Sequence, residues 1–229
     1  MKAGDVLSYL EMCSFESASL QRGMNFHHDG AVSVVLMSTR DGAPYDDQVE
    51  EDGRVLIYEG HDLPKFKNGP DPKTVDQPMR FGSGSLTQNG KFFEAAHRDR
   101  ESKNDQEVVR VYEKVRSGIW VYNGAFDLTK AWIEASAGRK VFKFRLELFD
   151  SGSVVQGPGN LPDHTRLIPS AVKQEVWKRD KGSCVTCGSQ DHLHFDHIIP
   201  FSKGGASILS ENIQLLCARH NLEKRDRIE

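Results

Sequence analysis

The stretch KVFKFRLELF, residues 140–149, alternates with a period of two. Phe142, Phe144, Leu146 and Leu148 fall on one side, and Lys143, Arg145 and Glu147 on the other. Successive side chains of a strand point to opposite faces, so this is the pattern of a strand with one face against a core. Working outward, AVSVVLMS (31–38), RVLIYEG (54–60) and EVVRVYEKV (107–115) are also rich in β-branched and aromatic residues and read as strands. RDGAPYDD (40–47) and LPKFKNGPDPK (63–73) separate them as loops. SFESASLQRG (14–23) and LTKAWIEA (128–135) read as short helices. The expectation is an α+β chain whose larger part is a curved, barrel-like, mostly-β domain with a few helices.

Beyond the opening strand, SGSVVQGPGNLPDH (151–164) has no periodicity and reads as a linker. IPSAVKQEVWKRDKGS (168–183) then reads as a helix starting near Pro169–Ser170, with Val172, Val176 and Arg179 along one side. The chain is thus expected to divide into a domain over 1–150, a linker over 151–168 and a small domain over 169–229. No apolar run approaches the roughly 20 residues of a membrane helix. Asp5 and Glu11 interrupt the N-terminus too early for a signal peptide. A cytoplasmic location is expected, where Cys13, Cys184, Cys187 and Cys217 stay out of disulfides. The net charge of −3 hides an asymmetry, because from Thr165 onward 10 Lys/Arg face 8 Asp/Glu. That balance permits a nucleic-acid partner without requiring one.

Cys184-x-x-Cys187 and Cys217-x-x-His220 are two pairs at matching spacing. A two-residue gap lets both side chains of a pair turn onto one tetrahedral ion, and such a set is a structural zinc signature. A domain of about 60 residues gains from that staple because its own core is marginal.

RDKGSCVTCGS, HFDHIIPFSKGG and SENIQLLCARHNLEK together resemble the HNH nuclease family, the ββα-metal fold. The resemblance implies that His197 is the general base for the attacking water and that Asp196 binds a catalytic Mg²⁺ or Mn²⁺. Asn212 would orient the histidine and its hairpin. Where the family ends in Cys-x-x-Cys-His, this chain has Cys217-Ala-Arg-His220-Asn221. One register gives His220 to the zinc and Asn221 to the catalytic ion; the other gives His220 to the catalytic ion. The first is preferred, since a structural zinc takes four protein ligands. Lys203, Arg219 and Lys224 are candidate phosphate contacts. His192 and His194 read as surface residues.

The first 150 residues resemble the SRA (SET and RING associated) fold. The similarity runs through Gly4, Phe15, Gly23 and Gly30, then Tyr45-Asp46-Asp47, Asp52-Gly53, Tyr58-Glu59-Gly60, Asp76-Gln77 and IWVYNGAF (119–126). It implies a pocket for a modified cytosine flipped out of double-stranded DNA, with Tyr45 and Tyr58 as stacking partners. A carboxylate there would accept from the exocyclic amine of cytosine. Asp47 is preferred and Asp46 stays open, and Glu59 stands where relatives often carry a small hydroxyl residue. Arg22, Lys91, Arg98, Arg100 and Lys103 would supply phosphate contacts, with 89–103 as a groove-facing loop. The combined resemblance implies a bacterial restriction endonuclease dependent on 5-methylcytosine or 5-hydroxymethylcytosine, acting as a homodimer. Its rivals are a non-cleaving reader and an HNH nuclease indifferent to base modification.

Overall fold

The computed structural model describes residues 1–20, 22–28, 32–67, 69–98, 106–148, 167–200 and 203–224. Gly30, Arg100, Lys103 and the segment 151–166 lie outside them. Among the described residues no helix is long and apolar enough to cross a membrane.

The larger part is an eight-stranded sheet. Its strands are β1 (Val6–Ser8), β2 (Met24–His28), β3 (Val32–Met37), β4 (Gln48–Glu50), β5 (Val55–Glu59), β6 (Glu107–Arg116), β7 (Ile119–Ser136) and β8 (Arg139–Leu148). They run in the order β2-β3-β6-β7-β8-β5-β4, and β1 pairs with the first residues of β7. All neighbours are antiparallel except β3 and β6. Register shifts at Val111/Tyr112 and Leu128/Lys130 put irregularities into β6–β7 and β7–β8, and such bulges bend a sheet. Phe142, Phe144 and Leu146 of the opening strand are buried in the main core with Val109, Val111, Phe126 and Leu128.

Two helix expectations are corrected. LTKAWIEA is the second half of β7, paired along its length with β8. The hairpin turns through Ala137 (φ 49) and Gly138 (φ 81), the positive-φ pair that matches strand twist. Cross-strand pairing here overrides helix propensity. The N-terminal helix is α1 (Tyr9–Phe15), starting earlier than expected, because Ser8 and Glu11 close a capping box. The 89–103 stretch is likewise no loop at its start: α2 (Gln88–Ala96), capped by Thr87, buries Phe92 against the sheet.

The smaller part is α3 (Ser170–Arg179), β9 (Leu193–His197), β10 (Ile213–Cys217) and α4 (Ala218–Lys224). β9 and β10 are antiparallel, with Asp196 opposite Gln214 and His197 opposite Ile213. This is a ββα unit preceded by a helix. Its core joins Val172 and Val176 of α3 to Phe195, Ile213 and Leu215, and also takes in Val115 and Val121 of the large sheet. At the entry to α3, Leu167 is buried in the main core and Ile168 in the second.

Candidate metal centre and base-binding cleft

Cys184 follows α3 at a tight knuckle in which Gly188 N donates to Cys184 O at 2.8 Å and takes φ 75. Cys217 ends β10, and His220 lies on the first turn of α4. His220 Nδ1 is 3.4 Å from Cys184 Sγ and 3.3 Å from Cys217 Sγ, and Cys187 Sγ is 3.8 Å from Cys217 Sγ. Tetrahedral zinc–sulfur and zinc–nitrogen bonds give ligand-to-ligand edges of about 3.5–3.8 Å, so these side chains fit such an ion as they stand. Burial pushes the Cys184 thiol up, yet N–H groups of Cys217, Cys187 and Thr186 and the His220 ring outweigh it and bring it down to about 6. His220 Nε2 lies 4.0 Å from a Glu223 carboxylate oxygen, beyond hydrogen-bonding distance. It is His220 that stands among the sulfurs; Asn221 is the next, half-buried residue.

Asp196 and His197 end β9. The His197 ring nitrogen Nε2 lies 2.9 Å from Ser207 Oγ. Asn212 accepts from Ile199 N at 2.8 Å and donates to Ile199 O and Ala206 O, both at 3.1 Å, so it closes the loop between the strands. Gly205 packs so closely there that an added Cβ would lie 1.8 Å from Ile199 O. Asp196 Oδ2 accepts from Lys224 Nζ at 2.6 Å, and the same amine donates to His197 O. Lys224 therefore corrects the phosphate-contact expectation: its side chain is 1% exposed and already holds the hairpin. Arg219 is 76% exposed with Glu223 3.1 Å away, and Lys203 is exposed. Asp196 offers one carboxylate, half of it held by Lys224, and it belongs to no group of three or more acidic, histidine or cysteine ligands among the described residues. That donor set suits a hard ion such as Mg²⁺, which keeps waters and takes one or two carboxylates plus substrate phosphate. His194 is corrected from surface residue to interdomain contact, because its Nδ1 lies 2.8 Å from Asp5 Oδ1; His192 is exposed.

In the large domain a cleft of about 520 Å³ is lined by 39–47 together with Glu59, Lys73, Ser136, Ala137 and Arg139. The structure thus brings Tyr45, Asp46, Asp47 and Glu59 together. Tyr58 is corrected: it is 2% exposed inside the core, its hydroxyl donates to Gly23 O at 2.9 Å, and it does not line the cleft. The ring stacked on Tyr45 is His61, with centroids 4.1 Å apart at 13°. Burial lowers His61 to about 4, so it is neutral near pH 7. Asp47 is buried and accepts from Ser38 N and Glu59 N, both at 3.0 Å. Desolvation outweighs those bonds and pushes its carboxyl up to about 7. Asp46 is 62% exposed. Lys143 Nζ reaches Glu59 at 3.1 Å and Asp46 at 3.2 Å, while Arg139 lies 3.6 Å from Glu59 and bonds Asp62 at 2.5 Å. Glu50 and Glu51 face Arg145 at 3.6 and 2.7 Å.

His61, Lys73, Arg139 and Lys143 are site residues that sequence reasoning missed. The signal for Lys143 was present, since it sits on the charged face of the opening strand. A solvated face and a face closed by Glu59 look alike in an alternating pattern.

The SAD/SRA domain family matches residues 3–151, and the HNH endonuclease family matches residues 184–227. Among solved structures, the SUVH5 SRA domain in complex with hemimethylated CG DNA is 25% identical, covering 71% of this chain and 94% of that one, with a TM-score of 0.45. The same domain with methylated CHH DNA is 23% identical at the same coverage and TM-score. KRYPTONITE in complex with mCHG DNA and SAH is 18% identical, covering 69% of this chain and 34% of that one, with a TM-score of 0.44. No curated protein matches the chain. The match over most of the chain shows that it belongs to the SAD/SRA domain family and carries an HNH endonuclease domain behind it.

Proposed function

We propose that the chain reads a modified cytosine in double-stranded DNA and hydrolyses a nearby phosphodiester bond, as a modification-dependent restriction endonuclease. The observation that carries this reading is the pairing in one chain of a carboxylate-lined cleft beside an aromatic stack with an Asp196–His197–Asn212 hairpin. The reader is 1–150, the linker 151–168 and the nuclease 169–229. In the cleft, the flipped base would stack on Tyr45 in place of the Lys73 amine, which sits 3.9 Å over the ring, and the ionised form of Asp47, with Asp46 as alternative, accepts from the exocyclic amine of 5-methylcytosine or 5-hydroxymethylcytosine. Glu59, neutralised by Lys143 and Arg139, closes one wall.

In the nuclease, Asn212 holds the loop so that His197 presents its imidazole to the attacking water as general base. Asp196, with Asn221, would hold a divalent ion such as Mg²⁺, which supplies charge stabilisation at the scissile phosphate. The cysteine–histidine set would hold structural zinc. One nuclease centre cuts one strand, so a double-strand break needs a second copy, and a twofold homodimer is the commonest arrangement. The bacterial cytoplasm, where foreign methylated DNA arrives, is the setting this activity serves.

Incubating methylated and unmethylated plasmid with Mg²⁺ or Mn²⁺ tests the proposal, and cutting of the methylated plasmid alone is expected. Equal cutting of both removes the reader, and cutting of neither removes the nuclease. Binding of the methylated plasmid without cutting would leave a non-cleaving reader, the reading motivated by Asn221 at the family's last histidine position.

A further inference from the structure

The two domains pack directly against each other. Their meeting face contains a buried, charged and fully bonded side-chain cluster. Lys173 of α3 is 1% exposed, Glu113 of β6 is fully buried and Asn123 of β7 is 3% exposed. Lys173 Nζ lies 2.5 Å from Glu113 Oε2 and 2.7 Å from Asn123 Oδ1, and Asn123 Nδ2 donates to Glu113 Oε2 at 2.9 Å. Ser170, at the start of α3, donates to the other Glu113 oxygen and accepts from Thr39, a residue that lines the base cleft.

Other contacts surround this cluster. Phe195 N donates to Gly4 O at 3.1 Å and Asp5 pairs with His194. Gly4 takes φ 98, and an added Cβ would meet Phe195 O at 2.8 Å, so only glycine lets the two backbones approach. Val115 and Val121 of the sheet share a core with Val172, Val176 and Phe195. At the far end of α3, Arg179 donates to Ser210 O at 2.7 Å and Ile213 O at 2.6 Å, on either side of Asn212. One helix therefore touches the reader's cleft at its first turn and the nuclease hairpin at its last.

We infer that this interlock fixes the nuclease hairpin relative to the base cleft, so that scission falls at a set offset from the modified cytosine. Glu113, Asn123, Lys173 and Ser170 act as positioning residues for the cut, and a buried pair of this kind resists separation because neither charge can be left unpartnered. The offset rests on the proposed reading and cleavage activity; the rigid arrangement does not.

The test uses the full chain on duplexes carrying a single modified cytosine, with the cut ends sequenced and the free protein measured by small-angle scattering. Wild type should give a sharp maximum of ends and a compact scattering profile. Lys173→Glu sets like charges face to face on a residue of the nuclease side; it should broaden the distribution of ends and raise the radius of gyration while binding of the methylated duplex stays unchanged. The exchange Glu113→Lys with Lys173→Glu should restore both. Scattered ends from wild type, or Lys173→Glu leaving both readouts unmoved, would overturn the inference. Absence of any cutting would instead defeat the nuclease proposal, and the scattering arm would still decide whether the domains are locked.

Discussion

Lys224 and Tyr58 show how burial reassigns a residue. An amine inside a protein beside a carboxylate is a clamp, because leaving either charge unpaired costs several kcal/mol. Lys224→Ala should therefore destabilise the chain by about 3–5 kcal/mol, lowering the thermal midpoint. The salt dependence of DNA binding should not move with it. Arg219→Ala should do the reverse, reducing the slope of log affinity against log salt by about 1 at little cost in stability. A common response of the two variants would return Lys224 to the phosphate backbone. In the cleft, Tyr45→Ala should weaken binding of methylated DNA by about 1–3 kcal/mol, the worth of a lost stacking face. Tyr58→Phe should cost about 1 kcal/mol of stability from the lost hydroxyl bonds and leave affinity alone. A binding measurement on the two variants side by side separates wall from core.

At the scale of elements, the β9–β10–α4 unit depends on groups brought from four positions to one point. The unit is small, and a metal bound only by the folded form contributes its binding free energy to folding. Chelation should thus unfold the C-terminal unit while the eight-stranded sheet keeps its circular dichroism signal. Cys184→Ser should reproduce that result without chelator, and a variant with unchanged melting would show that the cluster is not a staple. Within the same hairpin, His197→Ala should reduce cleavage by about 10²–10⁴-fold, the usual contribution of a general base, with methylated-DNA binding intact.

At the scale of the molecule, the Asp5–His194 pair joins the domains and carries a pH signature. Burial raises the Asp5 carboxyl, but hydrogen bonds from His194 and Lys2 N and the His194 charge outweigh it, leaving it below its ordinary 3.8. A carboxyl held below its unfolded value contributes stability that is present above that value and is lost as pH falls through the lower, folded one. Wild type should therefore exceed Asp5→Asn in urea midpoint near neutral pH, and the two should converge below about pH 4. A gap that persists into acid would assign the effect to something other than this ionisation.

The sequence by itself determined four strands of the large sheet, β3, β5, β6 and β8, and singled out the cysteine and histidine positions that the fold brings together. Alternation in 140–149 and the cysteine spacing are local patterns set by backbone geometry and ligand chemistry, which is why they were legible, whereas the Asp196-His197 pair was legible through the family resemblance. The helix read into 128–135 failed because its propensity is local while its partner, β8, is supplied by the fold. Only tertiary structure decided that Lys143 faces Glu59, that Tyr58 turns inward and His61 replaces it beside Tyr45, and that Lys173 finds Glu113 across the domain boundary. Each of these depends on what covers a face. Coverage comes from residues far away in the chain, and a one-dimensional pattern carries periodicity but not neighbours.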